Sequence, residues 1–197
     1  MSHSSTGNPE DVERLLSSPD DRPRLALDVA DWERLLGWTR ATDREVSGLG
    51  QLEIRDGKLR VSRLYLPPQV SNAIETELQP RGLATLMLDL VSSGSDPLSL
   101  RLWWHSHARE MPFWSGLDER TIESFAPAAM VSMVIDHRGG RLTRLDTFAP
   151  RRTHWVDVEF TSDEPGAAAD PATLRDQVAH QVGDLAGSGR LTFRHGH

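Results

Sequence analysis

Apolar residues recur along this chain with two periods, and the switches between them lay out the elements. In "RLALDVA", Leu25, Leu27 and Val29 alternate with Ala26, Asp28 and Ala30, which predicts a strand with one buried face; Trp32, Leu35, Leu36 and Thr39 then follow at helical spacing. After Glu45, two alternating runs, one ending near Ile54 and one starting near Leu59, flank Asp56-Gly57. Gly accepts positive φ there, so the pattern predicts a β-hairpin. Residues 66–80, "LPPQVSNAIETELQP", read as a loop, and Leu83, Leu86, Met87, Leu90 and Val91 then fit one face of a helix closed by Ser93-Gly94-Ser95. "LSLRLWWHSH" predicts a strand, and "AMVSMVI" a strand buried on both faces that turns at Gly139-Gly140 into "RLTRLDTF". In "HWVDVEF", Val156, Val158 and Phe160 alternate with Trp155, Asp157 and Glu159, which reads as one further strand closing a mixed sheet. Strands and helices intermixed in this way give an α/β (α+β) class, a mixed sheet flanked by helices.

The two ends differ from this middle. Residues 1–23 are polar, with one short amphipathic stretch at Val12, Leu15 and Leu16, and read as an extension. Residues 161–171 shift to Asp, Pro, Gly and Ala, a linker, after which Leu174, Val178, Val182 and Leu185 fit one helix face expected to pack back on the core. The last residues, including His195 and His197, read as a tail. The organisation is one domain over 24–160 between an extension (1–23) and a linker, helix and tail (161–197).

Composition narrows what the fold can do. With 197 residues, 38% of them hydrophobic, the chain is long enough to bury a core. Its 22 basic and 29 acidic residues leave a net charge of −7, with no basic run, so nucleic acid is not the expected partner. Lys58 is the only lysine, which is read as a compositional bias toward Arg. No leader-like or membrane-length apolar stretch occurs, which predicts a cytoplasmic protein without a membrane anchor. Cysteine is absent, which removes disulfides, iron–sulfur clusters, Cys-type zinc sites and thiol nucleophiles; any metal must be held by His, Asp or Glu.

One stretch carries that ligand set, "WWHSHAREMPFWSGLDERTI". Residues two apart on a strand share a face, with Cα atoms about 6.7 Å apart, so His105 and His107 can converge on one ion. Ser115, separated from His107 by seven residues, has the position of an N-cap, and Asp118 then lies in the first turn of a helix, where it can fold back over the strand end. Two imidazoles, one carboxylate and an open position make the pattern of a catalytic rather than a structural zinc. Trp103, Trp104, Phe113 and Trp114 read as core and loop anchors around it.

These residues resemble the signature of the JAMM (MPN-plus) zinc metalloproteases: an upstream Glu, His-x-His, seven residues, Ser, two residues, Asp. "REVSGLG" supplies Glu45 with Gly48 and Gly50 upstream. Ala108 stands where the family often carries proline, and the lack of cysteine removes the extra structural zinc of some eukaryotic relatives. The resemblance covers 24–160 and implies the family's cytidine-deaminase-like core, with Zn²⁺ on His105, His107 and Asp118, Glu45 as the base that takes a proton from water, and Ser115 steadying the oxyanion. It also implies a peptide or isopeptide bond following the Gly-Gly tail of a ubiquitin-like or sulfur-carrier protein. The other functions to weigh are a catalytically silent MPN-type scaffold and a general small-peptide metallopeptidase. Two other His-x-His metallohydrolase patterns do not fit: metallo-β-lactamases need Asp where Arg109 stands, and zinc deaminases need a Cys pair.

Overall fold

Asp28 ends the first strand by turning it into a helix. In the computed structural model, which describes residues 23–55, 58–125, 129–148, 151–162 and 169–185, strand β1 (Arg24–Asp28) gives way to helix α1 (Val29–Arg40). Asp28 Oδ1 accepts the Ala30 N–H at 2.8 Å, an N-cap that satisfies a donor the helix itself cannot. Val29 therefore belongs to the helix and is exposed, whereas the alternation predicted it on the buried face of a strand.

The predicted hairpin is present as β2 (Ser47–Arg55) and β3 (Lys58–Tyr65), paired antiparallel from Leu49↔Tyr65 to Arg55↔Lys58; its Asp56-Gly57 turn lies outside the described residues. Residues 66–80 are not the plain loop their prolines suggested. They contain a second, small hairpin, β4 (Gln69–Ser71) and β5 (Thr76–Leu78). Its turn is held by Asn72, whose Oδ1 accepts from the Ile74 and Glu75 N–H groups at 2.9 and 3.0 Å. Helix α2 (Pro80–Ser92) follows, then β6 (Leu100–His107), α3 (Gly116–Phe125), β7 (Ala129–Asp136) and β8 (Arg141–Phe148). The β7–β8 turn uses Gly139 at φ 91°, a conformation other residues rarely adopt.

The predicted strand "HWVDVEF" breaks at Val156 into β9 (Arg151–Trp155) and β10 (Asp157–Thr161). The eight main strands run β10-β1-β3-β2-β6-β7-β8-β9, so two strands separated by one residue occupy opposite ends of one sheet. That is possible only if the sheet rolls until its edges meet. The Val156 N–H donates to the Thr143 carbonyl and the Asp157 N–H to the Pro23 carbonyl, each at 3.1 Å, one bond toward either edge. The sequence alternates smoothly through this corner, and nothing local announces it.

Rolling creates two unequal cores. The larger takes Leu25, Leu27, Leu35, Trp38, Leu102, Trp104, Met133 and Ile135, with α1 and helix α4 (Pro171–Gln181) packed in through Leu174 and Val178. The C-terminal helix thus joins the core through Leu174 and Val178 as predicted, but it ends at Gln181, so Val182 and Leu185 are not on its face; Trp38 Nε1 donates to Gln177 Oε1 at 2.8 Å across the α1–α4 contact. The smaller core, on the other face, gathers Leu49, Trp103, Ile122 and Met130 beneath α2 and α3. Helix α2 uses a narrower stripe than its sequence offers: Leu83 and Leu86 pack on this core and Leu90 is buried, while Met87 and Val91, displaced around the helix axis, remain exposed. The mixed α+β class is as the sequence predicts. No helix among the described residues is long and apolar enough to cross a membrane. The Val12–Leu16 stretch, His195 and His197 lie outside the described residues.

Candidate metal centre

Alternation along β6 decides what faces where. Leu102 and Trp104 point into the larger core, so Trp103, His105 and His107 share the opposite face beside α3. Strand β2 is the antiparallel neighbour, with Ser47↔His105, Gly48↔Trp104 and Leu49↔Trp103. The pairing continues beyond Ser47: the Ser106 N–H donates to the Val46 carbonyl at 2.8 Å and the Val46 N–H to Ser106 Oγ at 2.9 Å. This register brings Glu45 beside His107. Gly48 permits the close approach, since a Cβ there would lie 2.2 Å from the Tyr65 carbonyl oxygen and 2.5 Å from the Trp104 ring.

The first turn of α3 supplies the third group. The Asp118 N–H donates to Ser115 Oγ at 3.1 Å and the Ser115 N–H donates back to Asp118 Oδ2 at 2.7 Å, a reciprocal cap built with Asp in place of the usual Glu. Asp118 Oδ1 then lies 3.2 Å from His105 Nε2, and Oδ2 lies 3.9 Å from His107 Nε2. One donor atom from each of the three residues falls within 4.8 Å of the others. With metal–ligand bonds of about 2.0–2.2 Å, neighbouring donors in a tetrahedral site sit roughly 3.3–3.6 Å apart, so the His105–Asp118 pair already has that spacing and the wider pairs would close slightly around an ion. Both nitrogens of His105 are buried without a hydrogen-bond partner, and a cation ligated at Nε2, the atom that faces Asp118, would relieve that one.

Charge supports the same fit. Burial lowers the His105 pKa against the opposing pull of Asp118, so the ring is neutral and able to ligate at physiological pH. For Asp118, burial alone would raise the pKa, but the His105 and His107 imidazoles beside it and the Ser115 N–H hold the carboxyl far below the usual range. His107 loses by burial and gains more from Asp118 and Glu45, so its pKa is raised. Glu45 is pushed up to about 7, chiefly by burial, with the nearby Asp118, Glu110 and Glu75 carboxylates adding to the effect and His107 opposing it. A carboxylate so placed can accept a proton near neutral pH.

Glu45, His105, His107, Ser115 and Asp118 all line one open cleft of about 300 Å³. Trp103 stacks on the His105 ring at 4.4 Å, and Phe113 meets the His107 ring edge-on at 4.6 Å. Trp103 and Trp104 are buried anchors as expected, whereas Phe113 is 45% exposed and lines the cleft wall. Two features escaped the sequence. The small hairpin contributes Ala73, Ile74 and Thr76 to the cleft. It is docked by Gln69, whose amide accepts the Ser47 N–H and donates to the Ser47 carbonyl, both at 2.8 Å, as a strand residue would. A lone buried glutamine in a proline-rich stretch gives no periodic signal.

No family model matches the chain, and no curated protein matches it. Among solved structures, the fold is similar to the solution structure of protein DSY2949 from Desulfitobacterium hafniense, with a TM-score of 0.57 at 16% identity, over 74% of this chain and 99% of that one. At that identity the likeness is one of fold.

Proposed function

We propose that this chain is a cytoplasmic zinc-dependent peptidase or isopeptidase of the JAMM type, cutting after the Gly-Gly tail of a ubiquitin-like or sulfur-carrier protein. The observation that carries the reading is the meeting of Glu45, from the segment leading into β2, with His105, His107, Ser115 and Asp118 at one cleft. A zinc ion held by His105, His107 and Asp118 would supply a Lewis acid able to bring the pKa of a water to about 7. Glu45 takes the proton of the attacking water on its carboxylate and later returns it to the leaving amine. Ser115 Oγ already accepts the Asp118 N–H, so its own O–H proton is left to donate to the carbonyl oxygen as negative charge builds there.

The substrate class rests on β5. It is the outer strand of a three-stranded sheet, β11-β4-β5, where β11 is Val182–Asp184, and its hairpin borders the cleft beside Glu45. An extended tail can add to such an edge by main-chain hydrogen bonds, and residues without bulk let the scissile carbonyl approach the cleft floor. Exposed Ile74, Phe113 and Leu117 in the lining of that cleft offer apolar surface to a folded partner. Of the other readings, a silent scaffold would be expected to lack a ligand or the base, and none is missing here; a general small-peptide enzyme would need neither the edge nor the apolar rim.

The test uses purified protein, assayed for zinc and incubated with a ubiquitin-like protein from the source organism fused through Gly-Gly to a reporter. We expect close to one zinc per chain, lost in His107→Ala and retained in a His195→Ala, His197→Ala double variant. Cleavage should follow Gly-Gly and fail when bulky residues replace it. Equal cleavage of both fusions, or of unstructured peptides alone, would favour the general peptidase. Zinc without any cleavage would favour the scaffold.

A further inference from the structure

Strand β8 carries an arginine in a place where burial ordinarily excludes one. Arg144 is 5% exposed, and all three of its nitrogens are engaged: Nη1 and Nη2 donate to the two oxygens of Glu119 at 2.5 and 2.8 Å, and Nε donates to Asp146 Oδ2 at 2.8 Å. Thr153 Oγ1 donates to the remaining oxygen of Asp146 at 2.6 Å, which fixes that carboxylate as well. The guanidinium also lies over the Trp114 ring, 4.6 Å from its centroid. Burying Arg144 and Asp146, with Glu119 at the rim, contributes little net stability, because desolvation offsets the attraction. A bidentate fork instead supplies direction.

What the fork holds is the segment that presents the carboxylate ligand. Glu119 follows Asp118 in the first turn of α3, and Trp114 precedes the Ser115 cap with its ring 5.9 Å from that of His105. The sheet sets the distance: Trp103↔Ser132 and Ser132↔Arg144 form one row across β6, β7 and β8, and Trp103 is the ring stacked on His105. Arg144 therefore grips the cap from both sides while standing on the same sheet as the imidazoles.

We propose that Arg144 is a positioning residue for the metal centre, holding α3 through Glu119 and Trp114 so that Asp118 meets His105 and His107. The inference rests on reading the His-His-Asp group as a metal site, and it assigns Arg144 no contact with substrate. A merely structural ion pair would alter stability and leave the ion's surroundings alone.

Co²⁺ is the probe, since its visible absorption reports coordination geometry without any need for activity. Wild type, Arg144→Lys, Glu119→Ala and the double variant are titrated with Co²⁺ against a competing chelator, with folding checked by circular dichroism. Lys keeps the charge and loses the fork; Glu119→Ala alters a side chain that is 39% exposed, so a folded variant is available even if position 144 tolerates little. Both single variants should bind Co²⁺ about 10–100-fold more weakly, with a changed absorption band, and the double should be no weaker than the worse single. Leu145→Ala, in the larger core, should lower the melting temperature and leave affinity and spectrum unchanged. Folded Arg144→Lys and Glu119→Ala with wild-type affinity and spectrum would overturn the role of Arg144 alone. A wild-type chain that takes up no Co²⁺ would overturn the metal reading, and this inference with it.

Discussion

Ser115 and Asp118 hold each other at both ends, main-chain N–H of each to side-chain oxygen of the other, at 2.7 and 3.1 Å. One pair of residues thus caps α3, aims the carboxylate at His105 and His107, and sets Ser115 in the lining of the cleft. Structure and proposed chemistry share the same atoms here, so a substitution should act on both.

Ser115→Ala is expected to cost about 1 kcal/mol of stability, the usual effect of removing a capping oxygen. Loss of the oxyanion donor is expected to lower kcat by on the order of 10²–10³. Urea unfolding and turnover measured at one temperature separate the two. If activity falls only in step with folded fraction or zinc content, Ser115 is a cap and nothing more.

Glu45→Gln removes the base without touching the ligands, and its main-chain bond to the Asn72 carbonyl at 2.8 Å needs no side chain. The variant should keep zinc and fold, and lose activity by about 10² or more, the scale of a positioned general base. Wild-type turnover in Glu45→Gln would remove this residue from the mechanism.

The raised pKa of Glu45 also predicts how the metal-free protein responds to pH. The folded value of about 7 lies above the ordinary 4.5, so the folded chain retains a proton that the unfolded chain releases. The stability this contributes is complete below pH 4.5 and is lost as pH rises through 7. Glu45→Gln cannot titrate there, whereas the other groups are common to both proteins. The melting temperature of metal-free wild type should therefore fall relative to Glu45→Gln between pH 5 and pH 8. A gap that stays constant across that range would show that the carboxylate is not strained by its surroundings.

Gly48→Ala should be severe although Gly48 has no side chain with which to hold an ion. Its Cβ would be driven into the Tyr65 carbonyl and the Trp104 ring, which is itself stacked on Trp38 at 5.4 Å. Overpacking of this kind costs about 1–3 kcal/mol or more. Chemical denaturation compared with Gly116→Ala, where the nearest atom to an added Cβ is 3.7 Å away, measures it.

The sequence by itself determined whatever one pleat or one helical turn can hold. Alternation put His105 and His107 on a common face, and the spacing of Ser115 and Asp118 made a cap that returns a carboxylate toward them, because both relations are settled among neighbours in the chain. The β2–β3 and β7–β8 hairpins were legible for the same reason, through Asp-Gly and Gly-Gly turns. Glu45 could be singled out only by its likeness to a known pattern; its place beside His107 depends on the β2–β6 register across some sixty residues. The Val156 corner, the Gln69 amide that mimics a strand, and the Arg144–Glu119 fork likewise have no local signature. Each exists because closing the sheet buries polar groups far apart in sequence, which must then find partners, and only the tertiary structure decides which partners lie within reach.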